Sequence, residues 1–211
     1  MHRLRILLAD DHAVVCAGFQ KLLEADYEIV GIVGDGRALI EAAMKSSPDV
    51  VIMDIAMPLL NGLDAGRKLK ELMPTVRILY LTMNSDSDVA KEALSLGAAG
   101  YVLKNSLPSE LLKAVGVVAK GGRYVTQQIK DTLEEEMIRD PNAIHHAKHL
   151  TLRQREIIQL LAEGHSMKEI AYLLHITHRT VRFHKAQIME EMGFQNNMDL
   201  LQYAIKQGMI S

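Results

Sequence analysis

Polar side chains follow the apolar runs of the N-terminal half, at positions where a folded chain could bind and react with a ligand. Two acids follow the first run, one acid follows the third, and a hydroxyl and an amine follow the fourth and fifth: Asp10, Asp11, Asp54, Thr82 and Lys104. In open α/β sheets, ligands bind outside the carboxyl ends of the strands, near the point where the strand order reverses. If the first and third strands are neighbours there, the three aspartates share one crevice.

Three carboxylates in one crevice repel one another unless a cation lies among them or one of them is protonated. Oxygen ligands with room for water suit Mg²⁺. A carboxylate beside Mg²⁺ can attack a phosphoryl group, while Lys104 supplies a fixed positive charge and Thr82 a hydroxyl donor. The alternative is that these acids are simply solvated, which suits any one aspartate better than it suits five matching positions.

The elements that must position these residues alternate between strand and helix over residues 1–120. Apolar runs rich in β-branched residues occupy positions 4–9, 29–33, 50–53, 76–81 and 100–103. Helical periodicity separates the runs, as in the face shared by Val15, Phe19 and Leu22. Five βα units in this order predict an α/β domain with a doubly wound, five-stranded parallel sheet.

The rest of the chain divides into a linker and a helical region. Residues 121–148 are predicted to be a linker with a short helix, because two glycines end the preceding helix and Ile129 and Leu133 are four residues apart. Residues 149–211 are predicted to form a small all-α domain, in which Thr151 and Ser166 begin capping boxes and Thr177 caps a third helix.

Residues 166–192 have the spacing of a helix-turn-helix, although two packed helices are common without DNA binding. In the third helix, Val181, Ile188 and Met192 share one face and should pack inward. The opposite arc offers side chains that can read base edges, with others placed to hold phosphates. The base-reading candidates are Arg179, Arg182, Phe183, Ala186 and Gln187, and the phosphate-holding candidates are Lys168, Thr180 and Lys185.

Composition excludes several classes of protein. One cysteine, Cys16, rules out a disulfide framework and favours a reducing compartment, so a cytoplasmic location is expected. No apolar run approaches the roughly 20 residues of a membrane span, and the run after the basic start is too short for a signal peptide. Residues 149–211 carry seven Lys and Arg against six Asp and Glu, so charge alone does not establish phosphate binding.

Four segments resemble the receiver domain of bacterial two-component response regulators. They are residues 6–12 (ILLADDH), residues 54–58 (DIAMP) with Gly62, Thr82, and residues 101–104 (YVLK). The resemblance covers residues 1–120 and implies a flavodoxin-like receiver fold with strand order 2-1-3-4-5. Asn105 follows the lysine where many receivers have proline, a departure that is shared by the NarL/FixJ type of regulator.

The resemblance implies an acceptor and a metal site. Asp54 would accept a phosphoryl group from a histidine kinase. Mg²⁺ would be bound directly by Asp11, Asp54 and the Ala56 carbonyl, and by Asp10 through water.

The resemblance also implies a switch next to that acceptor. Lys104 would pair with the phosphoryl oxygens and Thr82 would move toward the phosphoryl group. Tyr101 would swing inward behind Thr82, and the receiver surface would change as a result.

The C-terminal region resembles the LuxR-type DNA-binding domain over residues 149–211. The matching segments are residues 150–156 (LTLRQRE), residues 169–171 (EIA), residues 180–181 (TV), and His184 with Ile188. The resemblance implies dimerisation through the helix at about residues 198–206. Departures are Leu152 in place of Pro, Gln154 in place of Glu, and the acidic pair at residues 190–191 where basic residues are frequent.

Together these features favour a NarL/FixJ-type response regulator whose phosphorylation controls sequence-specific binding to double-stranded DNA. A homodimer would span two half-sites, with RNA polymerase as a further candidate partner and no membrane partner. Two rivals stay open. One is a phosphatase or phosphotransferase with an aspartate nucleophile, against which the adjacent Asp10 and Asp11 count. The other is a DNA-binding or scaffolding protein whose receiver is unused.

Overall fold

The structure of the protein, a computed structural model, describes residues 3–83, 85–106, 108–139 and 150–210. The chain forms two compact units, Met1–Ala143 and Ile144–Ser211. Among the described residues, no helix combines the length and the apolar character that crossing a bilayer requires.

The first unit alternates strands and helices, as the apolar runs predict. Its strands are β1 (Arg5–Ala9), β2 (Glu28–Val33), β3 (Val50–Met53), β4 (Arg77–Thr82), β5 (Gly100–Leu103) and β6 (Tyr124–Val125). Its helices are α1 (Ala13–Leu23), α2 (Gly36–Ser46), α3 (Gly62–Leu72), α4 (Ser87–Ser95), α5 (Pro108–Ala119) and α6 (Gln127–Arg139). Each of the first five strands ends within one residue of its predicted end.

The sheet is parallel throughout, with strand order 2-1-3-4-5-6. The predicted order of the first five strands is therefore confirmed, and the order reverses between β1 and β3. Ala9 is in register with Met53 across that reversal. The next residue of each strand, Asp10 and Asp54, must then lie side by side at the carboxyl edge.

The segment predicted as a linker differs from the expectation in its first part. Tyr124–Val125 adds a sixth strand to the sheet by pairing in parallel with β5, so the sheet is not five-stranded. The predicted short helix is present as α6, and its Ile129 is fully buried. Free backbone groups on the edge of β5 explain the added strand, because unpaired strand edges seek hydrogen-bond partners. The expected boundary at residues 148–149 lies outside the described residues.

Side-chain alternation along the strands builds a separate apolar layer on each face of the sheet. One layer includes Leu7, Val51 and Ile78 and is covered by α2, α3 and α4. The other layer includes Ile6 and Ile52 and is covered by α1 and α5. With both faces buried, the polar residues after the strands are left at the sheet edge.

The second unit is all helical over its described residues. Its helices are α7 (Leu152–Ala162), α8 (Met167–Leu173), α9 (His178–Met192) and α10 (Asn197–Lys206). The predicted capping boxes at Thr151 and Ser166 are present, and the Thr177 side chain accepts a hydrogen bond from the Thr180 amide. The turn between α8 and α9 includes His175 at a positive φ of 52°. The helix-turn-helix geometry predicted from spacing is therefore present.

Candidate active site and nucleic-acid interface

Backbone pairing delivers the five predicted pocket residues to one edge of the sheet. The Asp10 amide donates to the Val33 carbonyl at 3.0 Å, and the Asp54 amide donates to the Ala9 carbonyl at 2.9 Å. Asp10 and Asp54 are both nearly buried, at 6% and 5% exposure. The two carboxylates are therefore held by the ends of neighbouring strands rather than by flexible loops.

The Lys104 ammonium bridges these two carboxylates. Its Nζ lies 2.6 Å from Asp10 Oδ2 and 2.6 Å from Asp54 Oδ2. The other oxygen of Asp54, Oδ1, accepts a hydrogen bond from the Ile55 amide at 2.7 Å. Lys104 follows β5, and its amide donates to the Thr82 carbonyl at 2.9 Å, which fixes where the side chain starts. The structure thus brings Lys104 into one charge cluster with Asp54 and Asp10, which precede it in the chain by 50 and 94 positions.

Burial and the lysine act on these groups in opposite directions. Burial raises the pKa of Asp54 above its usual range, and the hydrogen bond and charge of Lys104 only partly offset this. Burial lowers the pKa of Lys104, but its hydrogen bonds to Asp10 and Asp54 outweigh that effect and raise it. One ammonium facing two buried carboxylates leaves a residual negative charge, which favours a further cation.

The acidic residues offer a set of converging ligand atoms for that cation. Atoms of Asp10, Asp11, His12 and Asp54 lie within 4.8 Å of one another. Carboxylate oxygens that converge on one point, with Asp11 open to solvent, fit a hard divalent cation that keeps part of its water shell. Ala56 is two residues beyond Asp54 in the loop before α3 and is half-buried.

His12 is a member of this cluster that the sequence analysis did not select. Its Nδ1 lies 2.8 Å from Asp11 Oδ1 and 3.2 Å from Asp10 Oδ1, and its amide donates to Asp10 Oδ1 at 3.0 Å. Its position directly after the two acids was the only available signal. The ring orients the two carboxylates that the strand end presents.

Thr82 and Tyr101 are both buried in the first unit. Thr82 is the last residue of β4 and is 2% exposed, and Tyr101 in β5 has no exposed surface. Burial raises the pKa of Tyr101, with the charges of Asp86 and Asp54 adding to the effect. The Tyr101 side chain therefore already points inward in this structure.

Gly62 begins α3 against the backbone of the two residues that follow β3, Asp54 and Ile55. Its amide donates to the Ile55 carbonyl at 2.7 Å, and a Cβ on Gly62 would overlap the Asp54 carbonyl oxygen. We expect Gly62→Ala to lower the free energy of unfolding by about 1–3 kcal/mol, because the backbone cannot move away freely. Gly18→Ala in α1 is the control, since nothing lies within 4 Å of the added methyl. Denaturant unfolding of both variants measures the difference, and equal midpoints would contradict this close approach.

Helix α9 exposes the arc that the sequence analysis assigned to base reading. Val181 and Ile188 have no exposed surface, while Met192 is only half-buried. Arg179, Arg182 and Ala186 are exposed, and Phe183 is 58% exposed. A largely exposed phenylalanine beside two arginines is typical of a surface that a partner covers.

The predicted phosphate-holding residues differ in their exposure and in the hydrogen bonds that they already make within the unit. Lys168, near the start of α8, is exposed. The Thr180 hydroxyl lies 2.8 Å from the Thr177 hydroxyl, and Lys185 Nζ donates to Asn197 Oδ1 at 2.8 Å. Thr180 and Lys185 would therefore have to exchange these partners before contacting a phosphate. Gln187 is half-buried on the same helix.

Two of the departures from the LuxR pattern contact each other. The Gln154 side chain donates from Nε2 to Glu191 Oε2 at 3.0 Å. An acid at position 191 thus has a neutral donor at position 154, where a second acid would repel it. This hydrogen bond ties α7 to the end of α9 and holds the Glu191 carboxylate within the unit.

Comparison with known protein families agrees with both halves of this description. Residues 6–116 match the model of the response regulator receiver domain, and residues 148–204 match that of the bacterial regulatory proteins of the luxR family. The chain belongs to the response regulators that join a receiver to a LuxR-type DNA-binding domain.

Relatives with the same two-domain organisation are known. The oxygen regulatory protein NreC of Staphylococcus aureus is 36% identical over 215 residues, which cover 98% of this chain and 99% of NreC. Among solved structures, RcsB of Salmonella typhimurium is 30% identical with a TM-score of 0.67, covering 96% of this chain and 97% of RcsB. A structure of two RcsB dimers bound to two parallel DNAs matches with a TM-score of 0.61 and 30% identity, over 97% of this chain and 99% of that chain.

Proposed function

We propose that Asp54 accepts a phosphoryl group from a histidine kinase and that this modification controls DNA binding by the second unit. The contact of Lys104 Nζ with both Asp10 and Asp54, at 2.6 Å each, is the observation that carries the proposal. It places a fixed positive charge where the oxygens of an incoming phosphoryl group would gather. Electrostatic stabilisation of this kind is usually a large contribution to phosphoryl transfer.

In the transfer step, a carboxylate oxygen of Asp54 forms a bond to phosphorus as the bond from phosphorus to the donor nitrogen of phosphohistidine breaks. The bonding electrons leave with the imidazole, which takes up a proton, and Asp54 becomes an acyl phosphate. Lys104 moves from Asp10 toward the phosphoryl oxygens, and the Thr82 hydroxyl lies at the adjacent strand end to donate to them. The Ile55 amide keeps the Asp54 carboxyl group oriented.

The proposed Mg²⁺ would be held by Asp11, Asp54 and the Ala56 carbonyl, with Asp10 acting through water. Bound there, it would neutralise charge on the transferring phosphoryl group. Asp10 and Asp11 need the cation because Lys104 balances only part of the charge in the pocket. His12 keeps the two carboxylates aligned toward one another.

The second unit would bind double-stranded DNA through α9 as a homodimer. Solvent exposure of Arg179, Arg182, Phe183 and Ala186, with Gln187 beside them, supports base reading in the major groove. Lys168, Thr180 and Lys185 would hold phosphates. The dimeric RcsB–DNA structure supports dimerisation on DNA, in which α10 is the proposed contact. RNA polymerase is a further proposed partner, and a protein that binds chromosomal DNA would act in the cytoplasm.

A turnover phosphatase is the weaker alternative. The chain belongs to a family of regulators with a LuxR-type DNA-binding domain, which supports a regulatory rather than a turnover role for Asp54. A receiver that acts as a switch needs an acyl phosphate that persists, whereas a phosphatase must hydrolyse it rapidly. Steady release of phosphate from small phosphate esters would favour the enzyme.

Acetyl phosphate with Mg²⁺ tests the acceptor assignment in the full chain. We expect one phosphoryl group per chain, and borohydride reduction should convert residue 54 to homoserine, as read by peptide mass spectrometry. Modification that maps to Asp10, Asp11 or a histidine would contradict the assignment. Omitting Mg²⁺ should abolish the modification if the acidic cluster holds the cation.

Arg182→Ala is expected to weaken binding to the preferred duplex by about 1–3 kcal/mol and to relax the choice of base at one position. Lys168→Ala is the comparison variant, because loss of a phosphate contact should weaken all sequences alike and lower the salt slope by about 1. Both are measured on duplexes selected from random DNA by the wild-type protein. A uniform loss with Arg182→Ala would assign it to the phosphate backbone instead.

A further inference from the structure

The outer edge of β5 is closed by hydrogen bonds to a segment that lies outside the matched receiver region. The Tyr124 amide donates to the Ala99 carbonyl at 3.0 Å, and the Thr126 amide donates to the Tyr101 carbonyl at 3.0 Å. The Leu103 amide in turn donates to the Thr126 hydroxyl at 3.3 Å, and that threonine is 6% exposed. The receiver match ends at residue 116, so this closure is an addition to the receiver.

The helix that follows seals the same side of the sheet. Ile129 has no exposed surface and belongs to the apolar cluster that also contains Tyr101, Leu103 and Ala90. Leu133, one turn later, packs against that cluster, and α6 lies against α4. The surface formed by α4 and β5 therefore has a partner within its own chain, residues 124–133, here called the β6–α6 segment.

The β6–α6 segment is linked by short contacts to the pocket. Thr126 bonds Leu103, Leu103 precedes Lys104, and Lys104 contacts Asp54. A phosphoryl group on Asp54 must draw Lys104 away from Asp10 and adds volume beside the buried Thr82 and Tyr101. That change acts at the end of β5, where the Leu103 amide meets Thr126.

We propose that the β6–α6 segment is seated on β5 and α4 only while Asp54 is unmodified, and that phosphorylation releases it. This inference rests on the proposed function, because it takes Asp54 as the acceptor. The segment precedes the DNA-binding unit in the chain, so its release lengthens the free stretch of chain that leads to that unit. By thermodynamic linkage, a substitution that releases the segment must strengthen the binding of a phosphoryl mimic at Asp54, by the same factor by which the mimic favours release.

Hydrogen exchange in the full chain tests the release directly. With Mg²⁺ and saturating beryllofluoride, a phosphoryl mimic, we expect amides of residues 124–133 to exchange about fivefold faster or more, the lower end of usual coupling. Peptides around Asp54 report occupancy of the pocket in the same experiment. If the amides around Asp54 are protected while those of residues 124–133 exchange at an unchanged or slower rate, the proposed release is overturned. If the amides around Asp54 gain no protection at any beryllofluoride concentration, the proposed function is overturned as well.

Matched substitutions test the reciprocal effect. Thr126→Val keeps the shape of the side chain but removes the acceptor for the Leu103 amide, so beryllofluoride should bind about fivefold more tightly. Thr126→Ser retains the hydroxyl and should behave like the wild type. Ile129→Ala should act like Thr126→Val, and Gln128→Ala, on the exposed side of α6, should have no effect. Equal affinities in all four variants overturn the linkage.

Discussion

Asp54→Asn is expected to abolish phosphate incorporation from acetyl phosphate while the fold is retained. The amide has no carboxylate to attack phosphorus, so no acyl phosphate forms. A neutral side chain loses the ion pair with Lys104, but it also removes a buried charge, whose burial already raises the pKa of Asp54. These effects oppose each other, and we expect the free energy of unfolding to change by no more than about 1 kcal/mol.

Intact-mass spectrometry after reaction with acetyl phosphate and Mg²⁺ measures the loss, and thermal unfolding measures the retained fold. Asp26→Asn is the matched control, because Asp26 is exposed and lies outside the acidic cluster. Undiminished labelling of Asp54→Asn would remove Asp54 from the acceptor role. Loss of labelling together with unfolding would show a structural effect, and the exposed control would then be the only labelled variant.

Lys104→Met is expected to have opposite effects on rate and on metal binding. The phosphorylation rate should fall by about 10²–10³-fold, the usual cost of removing one preorganised group that stabilises transition-state charge. The affinity for Mg²⁺ in the absence of a phosphodonor should rise, because the ammonium at 2.6 Å from Asp10 and Asp54 competes for their charge. A residue that only supported the fold would lower both.

Initial rates at saturating Mg²⁺ give the first quantity, and calorimetric titration with Mg²⁺ gives the second. Lys120→Met is the control, since Lys120 is exposed at the end of α5. A rate close to that of the wild type would show that Lys104 does not stabilise the transferring group. Weaker Mg²⁺ binding would show that the lysine arranges the carboxylates rather than competing for them.

Local sequence patterns predicted much of this fold correctly. The near-continuous apolar runs predicted five buried parallel strands, because a strand buried on both faces has no polar alternation. The resemblance to receiver domains implied their order, which the structure has. The caps at Thr151, Ser166 and Thr177 were equally readable, since capping depends on residues three positions apart. The sixth strand was not predicted, because two residues carry too little periodicity to be recognised.

In the candidate site, too, local sequence features predicted some of what the structure shows and missed the rest. Strand ends and residue types selected Asp10, Asp11, Asp54, Thr82 and Lys104 without any knowledge of distance, and the structure places them at one edge. The second contact of Lys104, with Asp10, had no sequence signal. The hydrogen bond between Gln154 and Glu191 had none either, although each residue was noticed separately as a departure.

The amino-acid sequence by itself determined the two domains, the five parallel strands and the set of pocket residues, because these follow from periodicity and from the residue types at the strand ends. Only the tertiary structure decided that the β6–α6 segment closes β5 and that Tyr101 and Ile129 belong to one buried apolar cluster. The physical reason is the distance along the chain over which each effect acts. Periodicity and capping act over one or two turns, whereas edge pairing and burial depend on which distant surfaces the chain leaves uncovered.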